Sequence, residues 1–413
     1  MDTGSTSACQ SSNAHITFDR PLLTCGYVDG ALPSSTIARL ARTARPYTIS
    51  EGFVCNLTPC AAGSATAVQW VGLAEPAASV AARSGDVTAS IDVVIVNWNS
   101  GSLLRECVGS LVAADPTGAL LNVIVVDNAS TDSSADGLPA EASWTPTISN
   151  LENRGFAAAC NQGAAAGTSR YVLFLNPDTR VEQAALNRVL AFMDASANQQ
   201  VGIAGIQLLD AAGAVARSCS RHPTPARMIG ALFFLDRLLP GLLRPHLMRE
   251  WDHGNSRDVE QIIGAFYFVR RELFQLLGGF DEQFFVYYEE VDFARRAEQR
   301  GYRTHYLSDV RAFHMGGGTT NVVRALRLFL VTQSRVLYAF KHFPWPIAAV
   351  HACGALTVEP LLRSLYFALL RDTQSMKESL LAARLLWRGA FSLMRGIEAP
   401  GTRPSVALPW HGR

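Results

Sequence analysis

The chain has 413 residues, 48% of them apolar and 17% charged, with a formal net charge of +1 and a mean hydropathy of +0.12. This composition excludes a disordered chain, and the near-zero charge gives no electrostatic basis for a nucleic-acid partner. Eight cysteines without a C-x-x-C pair argue against a disulfide framework and for a reducing cytoplasm.

The charge is unevenly spread. Residues 1–88 carry 5 basic and 6 acidic side chains, 89–320 carry 19 and 25, and 321–413 carry 12 and 4. A basic tail predicts an anionic surface as partner. Residues 1–88 are rich in Ala, Ser, Thr and Gly and show no periodicity. They read as an N-terminal extension, either a small irregular unit or a leader. The opening Met1-Asp2-Thr3-Gly4-Ser5 has neither the basic region nor the apolar run of a secretory signal.

At Ile91 the character changes. Ile91–Val96 is a β-branched run suited to a buried parallel strand, and Asn97-Trp98-Asn99-Ser100-Gly101 is a turn cluster. Leu103, Leu104, Cys107, Val108, Leu111 and Val112 then recur at helical spacing. A second strand, Asn122–Val126, ends at Asp127, and a third, Tyr171–Leu175, ends at Asn176-Pro177-Asp178. Leu186, Val189, Leu190 and Met193 mark the next helix. Strand alternating with helix predicts an α/β fold with a mostly parallel sheet, whose strand C-termini bind ligands.

Three strand ends carry polar clusters: Asn97 and Asn99; Asp127, Asn128, Ser130 and Asp132; and Asn176 with Asp178. One carboxylate past a parallel strand accepts hydrogen bonds from a base or ribose, and a second holds a divalent cation against a diphosphate. Asp and Asn also start turns and cap helices, the plainer account of any single cluster. Three on successive strands favour a ligand site. Asn153-Arg154-Gly155 precedes the small-residue run Phe156–Gly163. Gly155 permits close backbone approach, Arg154 offers a cation to a phosphate, and the run predicts a helix packed tightly on the sheet.

Further on, Asp281, Glu282, Glu289, Glu290 and Asp292 fall among Phe280, Phe284, Phe285, Tyr287 and Tyr288. Acid pairs beside aromatic rings suit a base working near neutral pH, with rings to stack on sugar faces. A charged helix start is the plainer account. His314 is followed by Met315 and Gly316-Gly317-Gly318, which suggests a metal ligand beside a mobile loop.

These motifs, in this order over Ile91 to Thr320, resemble the family 2 glycosyltransferases of GT-A fold, with the rhamnosyltransferase-like and galactofuranosyltransferase-like bacterial members nearest. The resemblance implies that Asp178, in Asn176-Pro177-Asp178, is the metal-binding acid of a D-x-D-type motif. It implies that Asp127 recognises the nucleotide base, and that Glu290 is the catalytic base with Glu289 and Asp292 as rivals. It places His314 on the metal, Mg²⁺ or Mn²⁺. Two residues depart from the pattern: Asn176 replaces the first aspartate, and Glu290 replaces a commoner aspartate. The implied reaction is inverting transfer of a sugar, rhamnose among the options, from a nucleotide diphosphate to a saccharide or lipid-linked acceptor in cell-surface polysaccharide synthesis. The division expected is 1–88 extension, 89–320 transferase domain, 321–413 helical region.

Two other readings compete. A nucleotidyltransferase would need a basic Gly-rich loop after the first strand, where this chain has no Arg or Lys before Leu104. An inactive sugar-binding relative is the other, kept open by Asn176 and Glu290.

Residues 321–341 and 376–396 read as amphipathic helices. Trp345–Val358 is too short, and too broken by Pro346, His351 and Gly354, for a membrane span. On the last helix Lys377, Arg384, Arg388 and Arg395 fall within about 40° of one another. Leu380, Leu381, Leu385, Leu386, Trp387, Phe391, Leu393 and Met394 cover most of the rest. Such a helix either packs on the catalytic domain with one wet basic face or lies in a membrane interface. The second option places the enzyme at the cytoplasmic face of a bacterial plasma membrane.

Overall fold

The computed structural model describes residues 53–59, 66–72, 90–118, 120–138, 145–233, 235, 246–248, 250–316 and 324–397; the side chains of 53–72, 145–146 and 389–397 are not described. The chain divides into two compact units, Met1–Gly85 and Asp86–Arg413. In the first, β1 (Phe53–Pro59) pairs antiparallel with β2 (Thr66–Gly72), Phe53 opposite Gly72. This hairpin departs from the expected irregular extension. Val54, Thr58, Val68 and Val71 supply its β propensity in runs too short to show a period.

The second unit opens with β3 (Ile91–Asn97), α1 (Ser102–Ala114), β4 (Leu121–Asp127), β5 (Thr145–Ser149), α2 (Phe156–Ala165), β6 (Tyr171–Leu175) and β7 (Thr179–Val181). It continues through α3 (Ala185–Asp194), β8 (Val201–Leu209), β9 (Val215–Ala216), β10 (Cys219–Ser220), α4 (Pro225–Leu232), β11 (Arg257–Val259) and β12 (Gln261–Ile262). Next come β13 (Phe266–Arg270), α5 (Arg271–Leu276), α6 (Glu289–Glu298) and β14 (Arg303–His314). The large sheet runs β11-β14-β8-β13-β6-β3-β4-β5. β3 is parallel to β4 and β6, β4 to β5, and β8 to β14, while β13 runs antiparallel between β6 and β8. This is the expected α/β class, a mixed sheet flanked by helices.

Alternation along β3 explains the layering. Val93 and Ile95 face a core shared with Leu104 and Leu111 of α1 and Leu186 and Val189 of α3. Val94 and Val96 face the opposite core, with Ala157, Ala159 and Cys160 of α2 and Phe293 of α6. β3, β6 and β8 are buried throughout, as strands covered on both faces must be. α2 lies close to the sheet: a Cβ on Gly163 would stand 2.4 Å from Val94 Cγ1, which explains the small-residue run.

The helical region comprises α7 (Arg324–His342), α8 (Trp345–Leu356), α9 (Val358–Leu369) and α10 (Thr373–Ile397). α7 and α10 match the two expected amphipathic helices. The apolar stretch between them forms two further helices that meet at Thr357, where φ is −120° and ψ −60°. Trp345–Leu369 is apolar and long enough to cross a membrane by length and composition. The break divides it into pieces of 12 residues, about 18 Å each against a hydrocarbon core of about 30 Å. Leu326, Phe329 and Leu330 of α7 pack against Ala382 and Leu386 of α10. The side chains of Phe391, Leu393, Met394 and Arg395, and the loop 317–320, lie outside the described residues.

Candidate active site

The three polar clusters converge because β3, β4 and β6 are adjacent and parallel. Asn97 is buried, and its Nδ2 donates to Asp127 Oδ1 (2.8 Å), Ser130 Oγ (3.0 Å) and Ser134 Oγ (2.8 Å). Asn99 Oδ1 accepts from the Thr131 amide at 2.7 Å, and Asp132 Oδ2 accepts from the Gly101 amide at 2.9 Å. Asn97, Asn99, Ser130 and Asp132 thus bind the two loops to each other. Asp127 stands half-buried at the end of β4, its carboxylate oriented by Asn97 and by the Ser130 amide at 3.3 Å.

Asn128 Nδ2 donates to Asn153 Oδ1 at 2.9 Å, and Asn128 Oδ1 accepts from the Arg154 amide at 3.0 Å. Both asparagines line a cavity of about 400 Å³, a volume suited to a small polar ligand. Asn176, Asp178, Glu289, Glu290 and His314 line the same cavity. Asn97, Asn99, Asp127, Ser130, Asp132, Arg154, Gly155 and Asp292 do not line it.

The metal-type residues meet through strand pairing. β14 runs antiparallel to β7 with His314 opposite Thr179, which sets it beside Asp178. His314 Nε2 is 3.3 Å from Asp178 Oδ1, and the Met315 amide donates to the Asp178 carbonyl at 3.1 Å. Asn176 Nδ2 is 3.5 Å from the same imidazole nitrogen. The described residues contain no cluster of three His, Cys, Asp or Glu. The Asp178 carboxylate fits Mg²⁺ or Mn²⁺, and the His314 imidazole fits the softer Mn²⁺.

The acids sit at the start of α6. Tyr287 and Tyr288 take φ of 69° and 71°, two consecutive left-handed residues that turn the chain sharply into the helix. The loop before them is held from two sides. The Phe285 carbonyl accepts from the Phe156 amide at 2.6 Å, and the Val286 carbonyl accepts from Ser334 Oγ of α7 at 2.8 Å. Glu289 is buried and Glu290 half-buried, and the Oε2 atom of each has no hydrogen-bond partner. Burial pushes Glu290 up to about 7. Burial, together with the charge of Glu290, raises Glu289 well above the usual glutamate value as well. The pair therefore keeps a proton near neutral pH.

Asp292 has different surroundings. Its carboxylate takes Arg296 Nε at 2.7 Å, Lys341 Nζ at 2.7 Å and His342 Nε2 at 2.8 Å. Burial acts to raise it, but the His342 hydrogen bond and the charges of Arg296 and Lys341 hold it near 2. A carboxylate so clamped is a poor proton acceptor, which separates Asp292 from Glu289 and Glu290.

Sequence reasoning missed the contribution of α7. Leu326, Arg327 and Leu330 line the cavity beside Phe285 and Val286, and Arg327 is the one Lys or Arg among its described lining residues. No motif spacing marks these positions. Trp98 and Ser100, passed over as turn residues, also line it. Cys107, Cys160 and Cys219 are buried and unpaired, as core residues.

Family models match this chain over both its sheet and its helical region. The model of Glycosyl transferase family 2 matches residues 92–207, and that of Glycosyl transferase family group 2 matches residues 171–397. The N-acetylglucosaminyl-diphospho-decaprenol L-rhamnosyltransferase of Mycobacterium tuberculosis is 24% identical over 277 residues, 63% of this chain and 87% of the relative. The low-salt glycan biosynthesis hexosyltransferase Agl10 of Haloferax volcanii is 26% identical over 231 residues, 54% and 66% of the two chains. Among solved structures, the mannosyltransferase PcManGT of Pyrobaculum calidifontis, in complex with GDP-Man and Mn²⁺, aligns at 19% identity with a TM-score of 0.44, covering 72% of this chain and 87% of that one. With one family model spanning more than half its length, the chain belongs to the family 2 glycosyltransferases, enzymes that use nucleotide sugars.

Proposed function

We propose that this chain is a metal-dependent, inverting hexosyltransferase acting on a saccharide or lipid-linked saccharide in cell-surface polysaccharide synthesis. The observation that carries the reading is the partnerless Oε2 of Glu290, at a carboxyl raised to about 7, in the cavity that also receives Asp178 and His314. Glu290 accepts the proton of the acceptor hydroxyl as its oxygen bonds the anomeric carbon. The bond from that carbon to the diphosphate oxygen breaks, and the nucleoside diphosphate leaves. One displacement inverts the anomeric centre. Asp178 and His314 would hold the divalent ion, Mg²⁺ or Mn²⁺, which would supply positive charge to the leaving diphosphate. Asn128 and Asn153 orient the donor, and Asp127 meets its base. The name of the mycobacterial relative makes a lipid diphosphate the first acceptor to test and rhamnose the first donor sugar. A protein acting there works at the cytoplasmic face of the membrane.

The test is a panel of nucleotide sugars with Mn²⁺ or Mg²⁺ and a lipid-diphosphate acceptor, read as nucleoside diphosphate release and product anomer. Metal-dependent transfer with inversion is expected. Retention of configuration, or full activity in a chelator, refutes the mechanism.

A further inference from the structure

We infer that the outward surface of α9 and α10 docks on an anionic phospholipid bilayer; the inference rests on the lipid-linked acceptor proposed above. α9 is built with its charge inward. Glu359 is buried, paired with Arg335 of α7 and, at 3.0 Å, with Arg363. Outward, Leu361, Leu365, Ala368 and Leu369 recur at i, i+4, i+7 and i+8, the three leucines 68%, 58% and 76% exposed. A helix facing water turns such a stripe to the core; this one turns it out.

α10 packs along α9 and extends the surface. Its exposed residues Lys377, Leu380, Leu381, Arg384, Trp387 and Arg388 fall on one face, while Ser379, Ala382 and Leu386 are buried opposite. Lys377, Arg384 and Arg388 thus form a cationic stripe along the middle of the exposed face, flanked by Leu380, Leu381 and Trp387. Trp387 donates its indole N–H to the Leu356 carbonyl at 3.0 Å, yet 56% of the residue stays exposed. A ring fixed at one end and exposed at the other suits a water–lipid boundary.

The charge pattern decides between occupants. A two-fold contact with a second copy would set Lys377, Arg384 and Arg388 near their own counterparts. Anionic headgroups accept all three, and the apolar side chains enter the acyl boundary. α8 and α9 are each too short to span, so the surface lies in the plane of the bilayer. The docked surface stands behind the α7 wall of the cavity. Leu326 and Leu330 of α7 line that cavity and also join the core packed on α10. A hydroxyl carried on a membrane lipid is thereby delivered close to Glu290.

The experiment is flotation of the full chain with phosphatidylcholine vesicles and with vesicles containing phosphatidylglycerol, at low and high salt. Binding to the anionic vesicles, weakened by salt, is expected. Lys377→Glu/Arg384→Glu/Arg388→Glu lowers partition by about a hundredfold. Leu361→Asp/Leu365→Asp/Leu369→Asp lowers it by about tenfold or more. If thermal melting shows that the leucine variant is unfolded, Leu365→Gln replaces it. Nucleotide-sugar turnover with a water-soluble saccharide acceptor stays at the wild-type value in these variants. Wild-type partition in both variants overturns the inference, as does a dimer in sedimentation velocity that the leucine variant abolishes without any vesicle binding. Vesicle binding in a protein that turns over no nucleotide sugar leaves the surface standing and removes the proposed reaction instead.

Discussion

The backbone carbonyl of Phe285 accepts a hydrogen bond from the Phe156 amide at 2.6 Å. That contact joins the loop carrying the acid pair to the N-terminus of α2, where Phe156 lines the cavity. Gly155 makes it possible. Its φ of 85° and ψ of 164° lie where essentially only glycine rests, and a Cβ there would stand 2.5 Å from the Phe285 oxygen. Gly155→Ala should lower stability by about 1–3 kcal/mol and lower kcat with it. Thermal unfolding and single-turnover kinetics measure both, and an unchanged melting point would refute the contact's importance.

Glu290→Gln should lower kcat by roughly 10²-fold or more while donor affinity stays the same. Asp292→Asn should instead lower stability, because it leaves Arg296 and Lys341 facing a neutral amide. Calorimetry of nucleotide binding beside initial rates separates the two. Reversal of the pattern would make Asp292 the base.

Asp178→Ala should abolish transfer and weaken Mn²⁺-dependent nucleotide binding. His314→Ala should lower metal affinity, since its ring stands 3.3 Å from Asp178. Titration of Mn²⁺ followed by electron paramagnetic resonance reads this directly. Wild-type Mn²⁺ affinity in His314→Ala would remove it from the ligand set.

Activity should rise with pH through about 7 as Glu290 loses its proton. Stability should move the other way in that range. Folding raises the Glu290 pKa, so the stability that depends on its protonated form is lost as pH climbs from the ordinary glutamate range toward 7. Asp292 acts with the opposite sign at the acid end. Folding lowers it to about 2, so its contribution is present above pH 4 and is lost as pH falls toward 2. Rate and melting-temperature profiles of wild type and Glu290→Gln check both. A rate profile flat from pH 5.5 to pH 8 would refute the assignment of the base.

The legible half of the site is the half written in local runs. Val94, Ile124 and Leu173 announce buried strands, and the polar residues after them fall at the sheet edge by topology alone. Asp178 and His314 are 136 residues apart in the numbering (314 − 178), and only the antiparallel β7–β14 pairing sets them side by side. Family resemblance reached that pair; periodicity did not. Glu290 and Asp292 look alike as letters, two acids in one helical turn. Their chemistry differs because α7 sends Lys341 and His342 to one and neither to the other. Such partners are set by tertiary packing, which is also why Arg327 went unnoticed. α9 was illegible for another reason: Leu361, Leu365 and Leu369 carry a clear helical period, but a period does not say which side faces the protein.

The clamp on Asp292 bears on how this enzyme is divided and inherited. Two of its three partners, Lys341 and His342, come from the far end of α7, and Ser334 of the same helix holds the loop before the acid pair. A gene shortened to the strand-rich portion would encode the polar strand ends and the acid pair but not Leu326, Arg327 and Leu330, which line the same cavity. It would leave the buried Asp292 carboxylate short of Lys341 and His342, two residues from Glu290. Soluble expression of such a fragment would therefore be a poor proxy for the enzyme. Recombination that exchanged the helical region between relatives would have to carry Lys341 and His342, the partners of Asp292, along with it.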